Sequence, residues 1–415
     1  MLLKNCKILV NKQLVHKDIL IKNRKIISIA KNIDAPAIGI TEIIDCTGKF
    51  VMPGIIDPHV HFREPGMTHK EDFMTGSMAA AAGGITTFLD MPNTIPPTST
   101  IALLDEKRRL AEKSIVNYGF HFCAASVDSN SNVDEIKKAK NIASVKVFMN
   151  LSTGKLMIND EKVLDEIFAA SKENPGIVSV HAEEEMVEKA IKLAKKHNTK
   201  LYLCHISKAD EVNMIRREKT HDVFVEVTPH HLFLTEIDDK DSFTKMKPSL
   251  RTLDDQEALW QAIDEGIVDT IGTDHAPHTV EEKQSAQFPY GIPGCETMLP
   301  LLLNSVNESK ISLETIQKLC CENPANIFRI KNKGFIREGY DADLVVVDMD
   351  LVKTVDNAQL FTKCKWSPFR GKTLTGWPVM TIVNGAKVFD YYSDRQIINI
   401  EVDEKSSKEV EFNVR

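Results

Sequence analysis

"GIIDPHVHFREPG", Gly54 to Gly66, opens on a short apolar run and closes on two histidines one residue apart, with an arginine two further on. Side chains of a strand leave on alternate faces, so His59, His61 and Arg63 depart on one side. Seven further β-branched or aromatic runs follow: "GITTFLDMPN", "YGFHFCAASV", "SVKVFMN", "GIVSVHAEE", "LYLCHIS", "VFVEVTPHH" and "VDTIGTDHAP". Between them lie charged stretches of helical periodicity, such as "VLDEIFAASKEN" and "EEMVEKAIKLAKKHN". This alternation from about Ile55 to Pro277 predicts an α/β fold, a parallel sheet with crossover helices closed into a (β/α)8 TIM barrel. His59, Asn93, Lys146, His181, His205, His230 and Asp274 fall at the C-terminal ends of the runs, the rim where such barrels build their sites. A doubly wound open sheet would want a glycine-rich phosphate turn after the first strand, and none is there.

The two ends of the chain read differently. "CKILVNKQLV" and "DILIKNRKIISIA" near the start, and "DADLVVVDMD" and "VMTIVNGAKVFDYY" near the end, are short strands joined by turns, with Asn384-Gly385 a hairpin signal. Residues 1–52 plus 336–415 are therefore expected to form a small β-sandwich domain beside a barrel domain of residues 53–335. The charged tail "DEKSSKEVEFNVR" is expected to fray.

The 415 residues are 42% hydrophobic and 27% charged, with a formal net charge of -7. This balance argues against nucleic acid, and an anionic substrate would have to be drawn by a local positive site. The eight cysteines form no CxxC pair and read as reduced thiols. The N-terminus lacks a signal peptide's apolar block, and no run reaches membrane-spanning length. A soluble, cytoplasmic protein is the expectation.

Zinc takes imidazole and carboxylate ligands, and a catalytic site leaves a position open for water. A lone HxH carries little weight, because surface histidines near a turn read the same way. Here His181, His205 and Asp274 add donors at later strand ends, and a closed barrel would bring Asp274 beside the first strand. Lys146 lies between Val145 and Val147 and faces the interior by alternation. A buried ammonium is costly, so this lysine is either paired with a carboxylate or converted by carbon dioxide to a metal-bridging carbamate. Spacing alone does not separate the two.

The stretches "DPHVHFREPG", "DMPNT", "HAEE", "CHISKA", "EVTPHHL", "IGTDHAPH", "PYGIPGCETMLPL", "NPANIF" and "SPFRGKTLTGWPVMTIVNG" resemble the dihydroorotases of the amidohydrolase superfamily over nearly the whole chain. The resemblance implies a cytoplasmic enzyme of pyrimidine synthesis that closes N-carbamoyl-L-aspartate to L-dihydroorotate reversibly. It implies two zinc ions, with His59, His61 and Asp274 on the more buried one and His181 and His205 on the other. Lys146 would bridge them as the carbamate, and Asp274 would serve as base and then acid. Arg63, Asn93 and His278 would hold the substrate's α-carboxylate, unless Arg63 is instead salt-bridged to Glu64 or Asp72. His230 and His231 match the family as substrate-loop residues rather than ligands.

Ser152 and Thr153 sit where the family has a hydroxyl-bearing loop, so they would close over the open-chain substrate; an ordinary surface loop is the alternative. Relatives commonly read "KMNPPLR" where this chain has "KMKPSLR", so Lys247 stands in place of an asparagine near the substrate. A homodimer, or association with aspartate transcarbamoylase as in some relatives, stays open. A hydantoinase or allantoinase would share the metal cage, although a neutral hydantoin has no need of Arg63, Asn93 and His278. A non-catalytic relative would typically have lost ligands, whereas all six positions are filled.

Overall fold

The computed structural model describes residues 1–34, 39–127, 130–151, 156–394, 396–397 and 406–413. Eight parallel strands form the barrel: β1 (Ile55–Val60), β2 (Ile85–Asp90), β3 (Asn117–Phe120, resuming at Phe122–Cys123), β4 (Val145–Phe148), β5 (Ile177–His181), β6 (Lys200–Leu203), β7 (Val223–Val227) and β8 (Thr270–Ile271). Each pairs with the next in parallel. Strand β3 breaks at His121, pairing with β2 before the break and with β4 after it. The ring closes where Val60 pairs with His275 and the His61 N–H donates to the His275 carbonyl at 2.8 Å.

The helices begin where the sequence supplies caps. Asp72, Thr100, Asp160 and Thr252 each accept a first-turn backbone N–H with the side chain, satisfying donors that a helix start leaves free. Helix Glu185–His197 shows why the crossovers bury one face: Val187, Ala190, Ile191 and Ala194 recur at three- and four-residue spacing and pack inward.

Strands from both chain ends join in one eight-stranded mixed sheet. Strand Phe50–Pro53 pairs there with Leu344–Thr354 and, through Gly54, runs on into β1. A side chain at Gly54 would place its Cβ 2.1 Å from Thr86 Oγ1, so only glycine passes there. Alternation along Leu344–Thr354 serves two cores. Val345 and Val347 pack with the barrel core, whereas Leu344 and Val346 pack with Leu3, Ile8, Ile19 and Ile382.

Over its described residues, 406–413, the tail departs from the expected fraying. Val410 and Phe412 are buried against Ile56, Leu89 and Phe328, and Glu409 and Phe412 pair with Tyr118 and Ile330. The apolar residues alternate with charged ones, so a segment that is charged on average still buries one face.

Candidate active site

Strand β1 carries His59 near its end and His61 one residue beyond it, and both rings turn into the barrel mouth beside Asp274. His59 Nε2 lies 3.2 Å and His61 Nε2 3.0 Å from Asp274 Oδ1. Asp274 has a φ of +46°, a backbone state that costs an L-residue energy and marks a constrained position. Asp57 joins the two strands below it: its carboxylate accepts from the Thr273 N–H at 3.0 Å, the Thr273 hydroxyl at 2.5 Å and the His59 N–H at 3.2 Å. Burial nevertheless raises the Asp57 pKa to about 7.

Across the mouth, His181 Nδ1 and His205 Nε2 stand 2.9 Å apart. Burial keeps both rings neutral, with the His181 pKa lowered to about 3 and that of His205 well below its ordinary value. Neutral imidazole is the ligand form for divalent ions. Burial opposes ionisation of Asp274 as well, but His59 and His61 hold its carboxyl well below the usual range.

Lys146 is buried beside them, its Nζ 2.9 Å from Cys204 Sγ and 5.4 Å from the centre of the Phe148 ring. Among the described residues no carboxylate forms a salt bridge with it, so the carboxylate-paired alternative has no partner to offer. His59, His61 and Asp274 each bring a ligand atom within 4.8 Å of the others. Together with the facing pair His181 and His205, this buried nitrogen and carboxylate donor set fits divalent metal.

One residue with no role assigned from the sequence organises this cluster. Glu226 on β7 accepts from His59 Nδ1 at 2.7 Å, the His205 N–H at 3.0 Å and the Tyr202 hydroxyl at 2.8 Å. It therefore fixes which His59 nitrogen faces Asp274. Cys204 also approaches His59 and Glu226, but it is engaged by Lys146 and the carboxylate by its three donors. The signal for Glu226 was an acid between Val225 and Val227 in an otherwise apolar strand.

On the other side of His61 the charge is positive. His61 Nδ1 lies 2.6 Å from Asn93 Oδ1, which leaves the Asn93 amide N–H groups to donate elsewhere. Arg63 is buried, with Nε on the Pro277 carbonyl at 3.1 Å and Nη2 3.1 Å from His278 Nε2. The salt-bridge alternative for Arg63 fails, because Glu64 pairs with Lys113 and Asp72 with Lys363. Lys70 donates to His278 Nδ1 at 3.1 Å, so Nε2 carries the ring proton and gives it to the Tyr290 carbonyl at 2.9 Å. Burial, with the Arg63 and Lys70 charges, keeps His278 neutral. Arg63 Nη2 therefore meets no acceptor on that ring, which leaves the guanidinium donors that an anion's oxygen would satisfy.

The remaining expected residues divide. His231 is committed to Thr228 Oγ1 at 2.7 Å and the Pro248 carbonyl at 3.1 Å, a clip between two loops. His230 is buried, and its Nε2 has no hydrogen-bond partner among the described residues. Lys247 Nζ sits 5.0 Å above the Tyr290 ring. Ser152 and Thr153 lie outside the described residues.

Such a rim, with imidazoles and carboxylate converging beside a cationic recess, is the site of a barrel hydrolase, and residues 50–388 match the amidohydrolase family. Within that family the chain belongs with the dihydroorotases. It is 38% identical to the dihydroorotase of Methanosphaera stadtmanae, covering 93% of this chain and 95% of that one. It is 37% identical to that of Bacillus cytotoxicus, covering 91% and 95%. Among solved structures, the L-hydantoinase (dihydropyrimidinase) of Arthrobacter aurescens superposes with a TM-score of 0.89 at 29% identity, covering 99% of each chain. No helix among the described residues is long and apolar enough to cross a membrane.

Proposed function

We propose that the protein interconverts N-carbamoyl-L-aspartate and L-dihydroorotate at a binuclear zinc site in the cytoplasm, as a step of pyrimidine synthesis. The observation that carries the substrate is the buried Arg63 guanidinium, which forms no salt bridge among the described residues and turns Nη2 toward His278 rather than toward a carboxylate. His59, His61 and Asp274 would hold one ion and His181 and His205 the other, with Lys146 as the bridging carbamate. When bound, the ions supply Lewis acidity and a nucleophile available near neutral pH.

The chain's own residues do the rest. Arg63 and the Asn93 amide hold the α-carboxylate, with His278 packed against Arg63 and fixed by Lys70 and the Tyr290 carbonyl, and so set which ring carbonyl faces the ligand cluster. One oxygen of Asp274 faces His59 and His61, with which it would share an ion. The second takes the proton from the attacking water and delivers it to the departing ring nitrogen. In the closing direction the same oxygen receives the proton of the ureido nitrogen. Burial of the whole cluster excludes bulk water from these transfers.

The likeness to a solved hydantoinase supports a second reading, a cyclic amide hydrolase acting on neutral rings. A direct comparison of dihydroorotate, hydantoin and allantoin separates the two. Dihydroorotate should be the preferred substrate. Because closure consumes one carboxylate charge and one proton, the equilibrium should favour the ring about tenfold more per pH unit of acidification between pH 6 and 8. Preferential turnover of hydantoin, or an equilibrium insensitive to pH, would overturn the proposal.

A further inference from the structure

Lys283 is fully buried, yet no salt bridge to it forms among the described residues. Its ammonium donates to three backbone carbonyls: Lys245 at 3.1 Å, Pro289 at 3.0 Å and Gly291 at 3.0 Å. Three N–H bonds meet three acceptors, and the Trp366 ring covers the group at 5.6 Å. Burying an ammonium is costly unless every donor is used, and burial lowers its pKa to about 8. An apolar side chain would fill the same space at less cost, so what Lys283 adds is the hold on those carbonyls.

The carbonyls belong to two segments beside the cationic recess. The Lys245 carbonyl accepts from the Gly291 N–H as well, at 3.0 Å. The carbonyl between the two bound ones, Tyr290, goes to His278. Three successive carbonyls are thus turned onto Lys283 and His278. Gly291 permits the turn with a φ of +133°, and a Cβ there would lie 2.5 Å from the Ala276 carbonyl. The result sets the Tyr290 ring under Lys247, whose ammonium has no anionic partner among the described residues.

We propose that Lys283 is a positioning residue: it locks residues 245 and 289–291 so that Tyr290 carries Lys247 at the substrate side of the site, and so sets affinity for the anionic substrate. This rests on the dihydroorotase reading. Lys283→Met keeps the length and removes the donors. With dihydroorotate as substrate, KM should rise tenfold or more while kcat stays within twofold and metal content matches the wild type. Chymotrypsin should cut faster after Phe288 or Tyr290. Lys283→Arg, which keeps a charged donor group, should recover part of the KM.

An unchanged KM in Lys283→Met, or a fall in kcat alone, overturns the proposal. If Lys283→Met does not fold, Lys247→Met reads the same end point, a higher KM for dihydroorotate, and an unchanged KM there overturns it equally. A wild type inactive on dihydroorotate would refute the functional reading instead. The proteolysis comparison would still report whether Lys283 holds the two segments, and equal cleavage would overturn that hold.

Discussion

Glu226 offers the sharpest test of the way the ligand cluster is built. Glu226→Gln keeps the shape and removes the charge. Hydrogen bonds to charged groups contribute about 1.5–3 kcal/mol and neutral ones about 0.5–1.5 kcal/mol, so the His59 contact at 2.7 Å should weaken by about 1–1.5 kcal/mol. That contact polarises the imidazole whose other nitrogen faces Asp274, so the loss should appear as roughly tenfold weaker metal binding. Partners of metal-ligating histidines, when removed, typically cost 10- to 100-fold in affinity, or about 1.4–2.7 kcal/mol. The amide creates little further conflict. Its N–H2 can face Tyr202, whose hydroxyl then accepts and still donates to Thr270 Oγ1 at 2.6 Å. Glu226→Ala abandons the His205 N–H as well and belongs at the 100-fold end. Competition for zinc against a chromophoric chelator measures the affinity, and turnover of dihydroorotate should recover in the Gln variant when metal is added in excess. Chelator midpoints within twofold of wild type in both variants would refute the assigned role.

Three other outcomes follow from the same structure. If Arg63 holds the substrate carboxylate as proposed, Arg63→Met removes two charge-assisted bonds, each about 1.5–3 kcal/mol. It should lower kcat/KM for dihydroorotate by about 10²–10⁴ in steady-state assays, and a loss below tenfold would remove Arg63 from the carboxylate site. Burial raises the Glu296 pKa from 4.5 to about 7, against the bonds it accepts from the Phe361 and Thr362 N–H groups at 3.0 Å. The folded state therefore binds that proton more tightly, so this contribution to stability is complete below pH 4.5 and is lost as pH rises through 7. At about 1.4 kcal/mol per unit, discounted for partial access to water, Glu296→Gln should gain about 2 kcal/mol on the wild type between pH 4.5 and 8 in denaturant unfolding; a difference independent of pH counts against it. Phe412→Ala should cost about 3 kcal/mol in the same assay, whereas a tail that contributes nothing would leave the midpoint unmoved.

The barrel was legible because each strand carries its own apolar run and each run ends on a polar residue. Strand β8 was read too long. Only Thr270 and Ile271 stay in the ladder, because Thr273 turns its N–H and hydroxyl to Asp57. The gathering of His59, His61, His181, His205 and Asp274 at one rim was legible from their places at the strand ends. Their supports were not: Glu226 lies 167 positions from His59, and alternation gives a residue's face without naming its partner. Lys283 was less visible still, since its partners are backbone carbonyls that have no residue type to read. The tail was misjudged for a simpler reason. Average charge hid the alternation of Val410 and Phe412.

The joint between β8 and β1 is thin, one paired residue at Val60 and His275 with Asp57 and Thr273 beneath it. His59 and His61 stand on one bank of that joint and Asp274 on the other. A cation gripped by all three would therefore act as a rivet in the hoop as well as a reagent, and amides along this seam should exchange with solvent faster whenever the rivet is drawn.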